Sequence, residues 1–192
     1  PGARPVPLLS KSIARTRVRK ILPHVQGDVL EVGCGAGILY EAIKDQVGSY
    51  TGVDIQTDKI AEAQAKFPEA TFAVADVDRD EIPYTAVFDT VVMSALIEHI
   101  FNLKTLGENL EKALRPGGRV VLTTPTPFGN DVVHRLGARL GLFSPIAVDD
   151  HIAIFNKKRC DIFAREFGLK LAAHQTFQIG CNQLAIIEKP AA

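Results

Sequence analysis

Glycines and acidic residues that follow short β-rich segments are the features of this sequence with the clearest chemical potential. Glu31 precedes a loop with three glycines, which are Gly33, Gly35 and Gly37. Glycine permits positive φ and lets a ligand approach the backbone without meeting a Cβ. Asp54 ends the next segment, about 20 residues further on, where a carboxylate can accept hydrogen bonds from ribose hydroxyls. Asp76, after a third segment, can accept one from an exocyclic amine such as that of adenine.

The charge of Glu31 separates two kinds of nucleotide ligand. A dinucleotide with a pyrophosphate prefers the spacing G-x-G-x-x-G, and a carboxylate two residues before the first glycine would repel it. The spacing here is G-x-G-x-G. S-adenosylmethionine carries a sulfonium, an ammonium and one carboxylate, and it has no phosphate. The residues therefore favour S-adenosylmethionine over a nicotinamide dinucleotide.

Histidines further along the chain are candidates for residues that act on the acceptor, the molecule that would receive the methyl group of S-adenosylmethionine. Alignment of an activated methyl group with its nucleophile supplies much of the acceleration of methyl transfer, and a base helps when the acceptor is a hydroxyl or an acidic carbon. His99 is the predicted base; the alternative is that it only orders the turn at 98–100. Asn130, His134 and His151 are predicted on the acceptor side, and the alternative for each is packing, solvation or capping.

Sequence patterns typical of strands and of helices alternate along the chain, and these elements must position the residues named above. Short apolar segments predict strands at 28–33, 49–54, 70–75, 87–93 and 118–124, with helical spacing between them. This alternation indicates βαβ units and a mostly parallel sheet covered on both faces. The segment Arg115-Pro116-Gly117-Gly118 is predicted to stop a helix and turn the chain.

The two ends of the chain have their own patterns. Residues 10–22 predict a basic helix with Ser10 or Ser12 as N-cap. Its five basic side chains are interpreted as a solvated face, and the alternative is a patch that binds an acidic ligand. After a long segment at 124–155 with a short helix near 131–140, Asn156 is predicted to cap a helix that ends at Gly168. Two final strands joined by a tight turn must pair antiparallel.

The composition narrows the class of protein. The chain has 192 residues with 22 basic and 22 acidic ones, so nucleic acid is not an expected partner. Three separated cysteines indicate reduced thiols, and no apolar run approaches a membrane span, so a cytoplasmic protein is expected. One domain over 1–192 is predicted. Its parts are an N-terminal helix (1–27), a cofactor-binding core (28–124), an acceptor-side lid (125–155) and a C-terminal helix and hairpin (156–192).

The successive motifs resemble those of class I S-adenosylmethionine-dependent methyltransferases, in their usual order. The segments VLEVGCGAG, YTGVD, AVADV, VFDTVVMSALIEH and LRPGGRVVLTTP carry the resemblance, which covers about residues 28–124. They are most similar to the type 11 subgroup, which includes ubiquinone- and menaquinone-biosynthesis methyltransferases. The resemblance implies a Rossmann-like, doubly wound α/β fold whose seven-stranded, mostly parallel sheet has an antiparallel last strand.

The resemblance also implies roles for individual residues. Glu31 and the three loop glycines would surround the methionine part, and Asp54 would bind the ribose. Ile55 would pack on adenine, Asp76 and Val77 would line the adenine pocket, and Ser94 and Ala95 would offer backbone groups. Some relatives carry E-x-x-E-H as metal ligands, but the stretch here is Ala95-Leu-Ile-Glu98-His99. Glu98, His99 and His151 could still form a poorer site. Since the first carboxylate is absent and hard cations need several oxygens, no metal is predicted.

The predicted activity is methyl transfer to a small-molecule acceptor, with O- or C-methylation favoured. An NAD-type oxidoreductase on the same topology is one alternative, against which the glycine spacing and Glu31 argue. A catalytically inactive, methyltransferase-like binding subunit is the other, although no cofactor motif is degenerate. The acceptor and the oligomeric state stay open.

Overall fold

The computed structural model describes residues 8–130 and 151–192 of the chain. Seven strands form one sheet in the order β3-β2-β1-β4-β5-β7-β6. The strands are β1 (Asp28–Val32), β2 (Ser49–Asp54), β3 (Thr71–Val74), β4 (Phe88–Ser94), β5 (Leu114–Pro125), β6 (Lys170–Phe177) and β7 (Asn182–Glu188). Strands β1 to β5 pair in parallel, and β7 pairs antiparallel with both β5 and β6. The predicted fold class is confirmed.

In the described part of the chain, five α-helices cover the two faces of this sheet. They are α1 (Leu8–Ile21), α2 (Ile38–Ile43), α3 (Thr57–Lys66), α4 (Leu103–Ala113) and α5 (Lys157–Glu166). Buried side chains of α1, α2 and α3 belong to the core on one face, and those of α4 and α5 to the core on the other. Within the described part of the chain, no helix is long and apolar enough to cross a membrane.

Strand β1 shows why the apolar segments form the centre of the sheet. Val29, Leu30 and Val32 are fully buried, and β1 lies between β2 and β4. Side chains of a strand alternate between faces, so a central strand with helices on both faces has a continuous apolar run rather than alternation. The carboxyl ends of β1, β2 and β4 consequently meet at one edge, where Glu31, Asp54 and Ser94 lie.

Two local expectations at element ends are wrong. Helix α1 begins at Leu8, so Ser10 and Ser12 lie inside it and neither is its N-cap. The Arg115–Gly118 segment is not a turn before a strand, because β5 already begins at Leu114, which pairs with Phe88. A shift of register between Phe88 and Thr90 accommodates the extra residues, and a bulge of this kind retains pairing that a sequence pattern does not reveal.

The C-terminal elements follow the predicted order. The Asn156 side chain accepts a hydrogen bond from the Arg159 N–H at 3.0 Å, which satisfies a free donor of the first turn of α5. Helix α5 ends at Glu166, two residues before the predicted end at Gly168. Strands β6 and β7 form the predicted antiparallel pair. The short helix predicted near 131–140 lies outside the described residues.

Replacing Gly107 by alanine tests the contact between α4 and the segment after α5. Gly107 is buried in α4, and a Cβ there would overlap the Phe167 ring. We expect Gly107→Ala to lower the free energy of unfolding by about 1–3 kcal/mol, because overpacking outweighs the gain in helix propensity. Urea unfolding measures this, with the exposed Glu108→Ala as the matched control. An unchanged or increased stability would contradict the packing.

Candidate active site

A cleft of about 510 Å³ opens at the carboxyl edge of the sheet. Its walls come from the ends of β2 and β4, from Gly33 after β1 and from the segment after β3. Ligands of open α/β sheets bind at this edge, near the point where the strand order reverses. Here that point lies between β1 and β4, since β1 to β3 extend in one direction and β4 begins the other half.

Most of the predicted cofactor residues meet in this cleft. Those that line it are Gly33, Asp54, Ile55, Asp76, Val77, Ser94 and Ala95, together with the predicted base His99. Residues that the sequence analysis did not single out also line it, namely Val53, Gln56, Ala75, Asp78, Leu96 and Ile100. Glu31, Gly35 and Gly37 are not among the residues that line it.

Asp54 holds the glycine loop in place. One of its carboxylate oxygens accepts a hydrogen bond from the Gly35 N–H at 2.8 Å, and the other accepts from the Gln56 N–H at 2.9 Å. Each carboxylate oxygen can accept more than one hydrogen bond, so both retain capacity for a ligand hydroxyl. The same side chain therefore orders the loop and presents two acceptors to the cleft.

Gly33 and Gly37 show why the loop needs glycine. Both have φ near +78°, in the left-handed region that other residues rarely adopt. A Cβ on Gly33 would approach Leu96 to 3.0 Å, and one on Gly37 would approach the Phe67 ring to 3.0 Å. Glycine at these two positions therefore lets the loop pack closely against Leu96 and the aromatic core.

Glu31 faces the interior of the protein. Its side chain is buried on the same face of β1 as Val29, and the Tyr50 hydroxyl donates a hydrogen bond to it. Burial raises the pKa of Glu31 to about 8, and this effect outweighs the hydrogen bond from Tyr50, which lowers it. The negative charge of Asp54 raises the pKa further. Glu31 therefore acts from beneath the loop, not as a wall of the cleft.

The pH dependence of stability tests this environment. Because the pKa of Glu31 is higher in the folded chain than the ordinary 4.5, the folded state holds a proton that the unfolded state releases. Stability from this group is fully present below about pH 4.5 and is lost as the pH rises through about 8. We expect the native chain to lose up to about 1.4 kcal/mol per pH unit in this window relative to Glu31→Gln. Urea unfolding at several pH values measures it; parallel profiles would contradict the assignment.

The segment after β3 supplies an acidic wall. Asp76 accepts a hydrogen bond from the Asp78 N–H at 3.1 Å, and its own N–H donates to Asp80 at 2.8 Å. Asp78 accepts from the Asn102 N–H at 2.8 Å, which ties this wall to the start of α4. Asp78 also lines the cleft. Nothing in the sequence pattern distinguishes Asp78 from the other acidic residues of this turn.

The end of β4 has an unusual backbone. Ala95 has φ of 56° although it is not glycine, and its N–H donates to the Thr123 carbonyl at 2.8 Å. Residues held in this region cluster at ligand sites, where the surrounding structure compensates the strain. The Ser94 hydroxyl lies 3.4 Å from that of Thr123. The β4–β5 pairing thus fixes the two residues that line the centre of the cleft.

Two histidines meet beyond the end of β4. The ring centroids of His99 and His151 are 5.0 Å apart, and only His99 is among the residues that line the cleft. The Nδ1 atom of His151 lies 2.6 Å from the Asn130 Oδ1, and Asn130 is buried. The predicted base His99 and two of the three predicted acceptor-side residues, Asn130 and His151, therefore come together. His134, the third, lies outside the described residues.

Glu98 is a buried carboxylate beneath these histidines. The Thr124 hydroxyl donates a hydrogen bond to its side chain at 2.9 Å, and its backbone carbonyl accepts from the Ile152 N–H at 2.8 Å. Burial raises the pKa of Glu98, and Arg17, the largest opposing influence, lowers it. Glu98 joins the end of β4 to the segment that carries His151, a role that the sequence did not reveal.

Glu98, His99 and His151 approach each other closely enough to suggest metal binding. One donor atom from each lies within 4.8 Å of the others. The set contains only one carboxylate, and Thr124 already engages it. Because Mg²⁺ and Ca²⁺ need several oxygen ligands, two imidazoles and one carboxylate fit these ions poorly. The predicted absence of a metal stays a prediction.

Arg17 departs from the predicted solvated face of α1. Its Nε and Nη2 atoms donate to the Asn182 Oδ1 at 3.2 and 2.9 Å, and burial lowers the pKa of the guanidinium. Arg15 and Arg19, on the same helix, are exposed as expected. Arg17 differs because α1 packs near β4 and β5, and Arg17 lies beside Asn182, which pairs with Pro125 at the end of β5. A helical pattern does not show which basic residue faces this edge.

The fold and the cleft define a Rossmann-like α/β protein with a ligand site at the switch point of its sheet. The family model of the methyltransferase domain matches residues 9–174. The chain belongs to this family, as the sequence motifs predicted.

Individual relatives agree with this membership. An uncharacterized methyltransferase of Mycobacterium tuberculosis is 35% identical over 98 residues, which are 50% of this chain and 49% of that protein. A ubiquinone biosynthesis O-methyltransferase of Methylococcus capsulatus is 27% identical over 184 residues, covering 85% of this chain and 77% of the relative. The chain thus spans about half the length of the first of these relatives.

A solved structure shares the fold. The S-adenosylmethionine-dependent methyltransferase of Mesorhizobium loti superposes with a TM-score of 0.73 at 19% identity, and the match covers 91% of this chain and 96% of that one. At this identity the similarity shows the fold alone.

Proposed function

We propose that this chain transfers a methyl group from S-adenosylmethionine to a small-molecule acceptor, with an oxygen or carbon atom as the nucleophile. The observation that carries the proposal is the charge of the cleft. Asp54, Asp76 and Asp78 line it, and no Lys or Arg is among the described residues of its wall. Such a wall attracts a sulfonium and an ammonium and offers no counter-charge to a phosphate.

The described residues suit this ligand from one end to the other. The two carboxylate oxygens of Asp54 suit the ribose hydroxyls, and Ile55, which is largely exposed, suits the face of the adenine ring. Asp76 and Asp78 suit the exocyclic amine, with Val77 beneath. Gly33, Ser94 and Ala95 suit the methionine end of S-adenosylmethionine. Glu31 and the remaining glycines support this end from behind.

S-adenosylmethionine supplies an already activated methyl group, so the protein must align the acceptor and receive its proton. His99 lines the cleft beyond Ser94 and Ala95, next to the methionine end. We propose that its imidazole accepts the proton of an acceptor hydroxyl or acidic carbon. His151 and Asn130 support the acceptor side, and residues 125–155 are proposed to cover it. No metal takes part in this scheme.

Two observations favour a small hydroxylated acceptor. The 22 basic and 22 acidic residues of the chain balance, so its net charge provides no overall attraction to nucleic acid. Relatives at similar identity include O-methyltransferases of ubiquinone biosynthesis, whose name supports an oxygen nucleophile.

The two alternative functions would require different residues in the same cleft. An NAD-type oxidoreductase needs donors for a pyrophosphate, and the acidic wall disfavours it. A catalytically inactive binding subunit requires no base, whereas His99 lies at the wall of the cleft.

Methyl transfer itself tests the proposal. The protein is incubated with S-adenosylmethionine that carries an isotopic label in its methyl group and with a panel of phenols, catechols and hydroquinones. We expect labelled methyl ethers or C-methyl products together with S-adenosylhomocysteine, at a rate that a metal chelator leaves unchanged. Binding of S-adenosylmethionine without transfer to any member of the panel would contradict this acceptor class. Loss of activity on chelation would contradict the metal-free scheme.

A further inference from the structure

Arg17 keeps one edge of its guanidinium available. The Nε and Nη2 atoms, which form the side edge, both donate to the Asn182 Oδ1. The end of the group, formed by Nη1 and the second hydrogen of Nη2, makes no hydrogen bond within the described residues. Two parallel N–H groups of this kind match the two oxygens of a carboxylate.

No carboxylate among the described residues occupies this edge. Among the residues that the structure describes, Arg17 takes part in no salt bridge, although exposed lysines and arginines elsewhere form several. Glu98 attracts Arg17 only at longer range. A guanidinium withdrawn from water without an anionic partner is costly, and such groups are usually paired. An anionic group of a bound ligand would compensate this unfavourable burial of the guanidinium.

The position of Arg17 indicates which ligand this is. Its partner Asn182 pairs with Pro125 at the end of β5, and the preceding Thr124 donates to Glu98. His99 follows Glu98 in the sequence, and it lines the cleft beyond Ser94 and Ala95. The adenosine end, at Asp54 and Asp76, lies on the other half of the sheet, after β2 and β3. Arg17 therefore lies on the acceptor side.

We propose that Arg17 is a specificity-determining residue that binds a carboxylate group of the acceptor through its end edge. The acceptor is then an organic acid whose nucleophilic atom is directed toward the methyl group while its carboxylate lies under α1. This inference rests on the proposed function, because it assigns a substrate class to the same site.

A matched pair of probes tests the proposal. The protein is first saturated with S-adenosylhomocysteine, and 4-hydroxybenzoate and 4-hydroxybenzamide are then titrated in separate calorimetric experiments. The two probes have nearly the same shape, and only the first carries a charge. We expect the acid to bind at least about tenfold more tightly than the amide, as suits a charge-assisted pair away from bulk water.

Variants of α1 assign this preference to one residue. Arg17→Gln should abolish the preference for the acid, and Arg17→Lys should retain part of it. Arg15→Gln, which removes an exposed charge from the same helix, should leave it unchanged. If Arg17→Gln does not fold, the acid–amide comparison on Arg17→Lys decides, because a preference equal to that of the native chain would contradict the role of Arg17.

Each other outcome overturns the proposal. Equal affinities, absent binding of the acid, or a preference that survives Arg17→Gln would show that Arg17 serves only the internal contact with Asn182 and the attraction of Glu98. The first titration separates the two levels of inference. Failure of S-adenosylhomocysteine to bind would contradict the proposed function itself, whereas its binding without an acid preference contradicts only the role of Arg17.

Discussion

Replacing His99 by asparagine is expected to slow methyl transfer by about 10²–10⁴-fold while S-adenosylmethionine binds as tightly as before. The expected loss of rate is large because an acceptor hydroxyl is a poor nucleophile until a base accepts its proton. Asparagine keeps a polar side chain of similar reach but cannot take up a proton at neutral pH. The surrounding backbone should keep its conformation, since the His99 N–H donates a hydrogen bond to the Leu96 carbonyl independently of the side chain.

Steady-state kinetics and calorimetry together decide the role of His99. His174→Asn is the matched control, because His174 lies on edge strand β6 and its ring contacts Gln183. A collapse of cofactor affinity in His99→Asn would place His99 in the binding site of the cofactor. Unchanged turnover would mean that His99 only orders the turn between β4 and α4.

Replacing Asp54 by alanine is expected to weaken S-adenosylmethionine binding by at least about tenfold. The ribose hydroxyls would lose a charged acceptor, and hydrogen bonds to charged groups contribute about 1.5–3 kcal/mol. The structure adds a second cause, because the Gly35 and Gln56 N–H groups would lose their partner as well. The glycine loop would therefore be less ordered before the ligand arrives.

Asp54→Asn separates these two causes. Its single side-chain oxygen can still accept from one backbone N–H, so the loop should be better ordered than in the alanine variant while the charge is gone. Asp45→Ala, which removes an exposed acid between α2 and β2, should bind normally. Calorimetry that finds unchanged affinity in Asp54→Ala would contradict the ribose assignment.

Sequence periodicity predicted most of the elements that form the cleft. Strand β2 has its predicted bounds, and the ends of β1 and β4 are within one residue of theirs, because continuous apolar runs between helices leave few alternatives. The predicted cofactor residues at the ends of these strands could thus be assigned to one edge. Asp76 lies two residues beyond the end of β3 rather than at its end, but it lines the cleft as well.

Features that depend on tertiary packing could not be predicted. The side-chain direction of Glu31 depends on Tyr50 and the aromatic core, which a strand pattern does not fix. Arg17 looks like any other basic residue of an exposed helix until α1 is seen to cross the sheet beside Asn182. The approach of His151 to His99 joins residues far apart in the chain, across a segment without a clear pattern.

Competitive titration of nucleotide ligands tests the central claim most directly. Calorimetry on the native chain with S-adenosylmethionine, S-adenosylhomocysteine and NAD⁺ compares a cationic, a zwitterionic and a pyrophosphate-bearing nucleoside in one acidic cleft. We expect one molecule of either sulfur compound to bind per chain, with an affinity that Asp54→Ala lowers, and no binding of NAD⁺. Saturable binding of NAD⁺ that displaces or excludes the sulfur compounds would contradict the account.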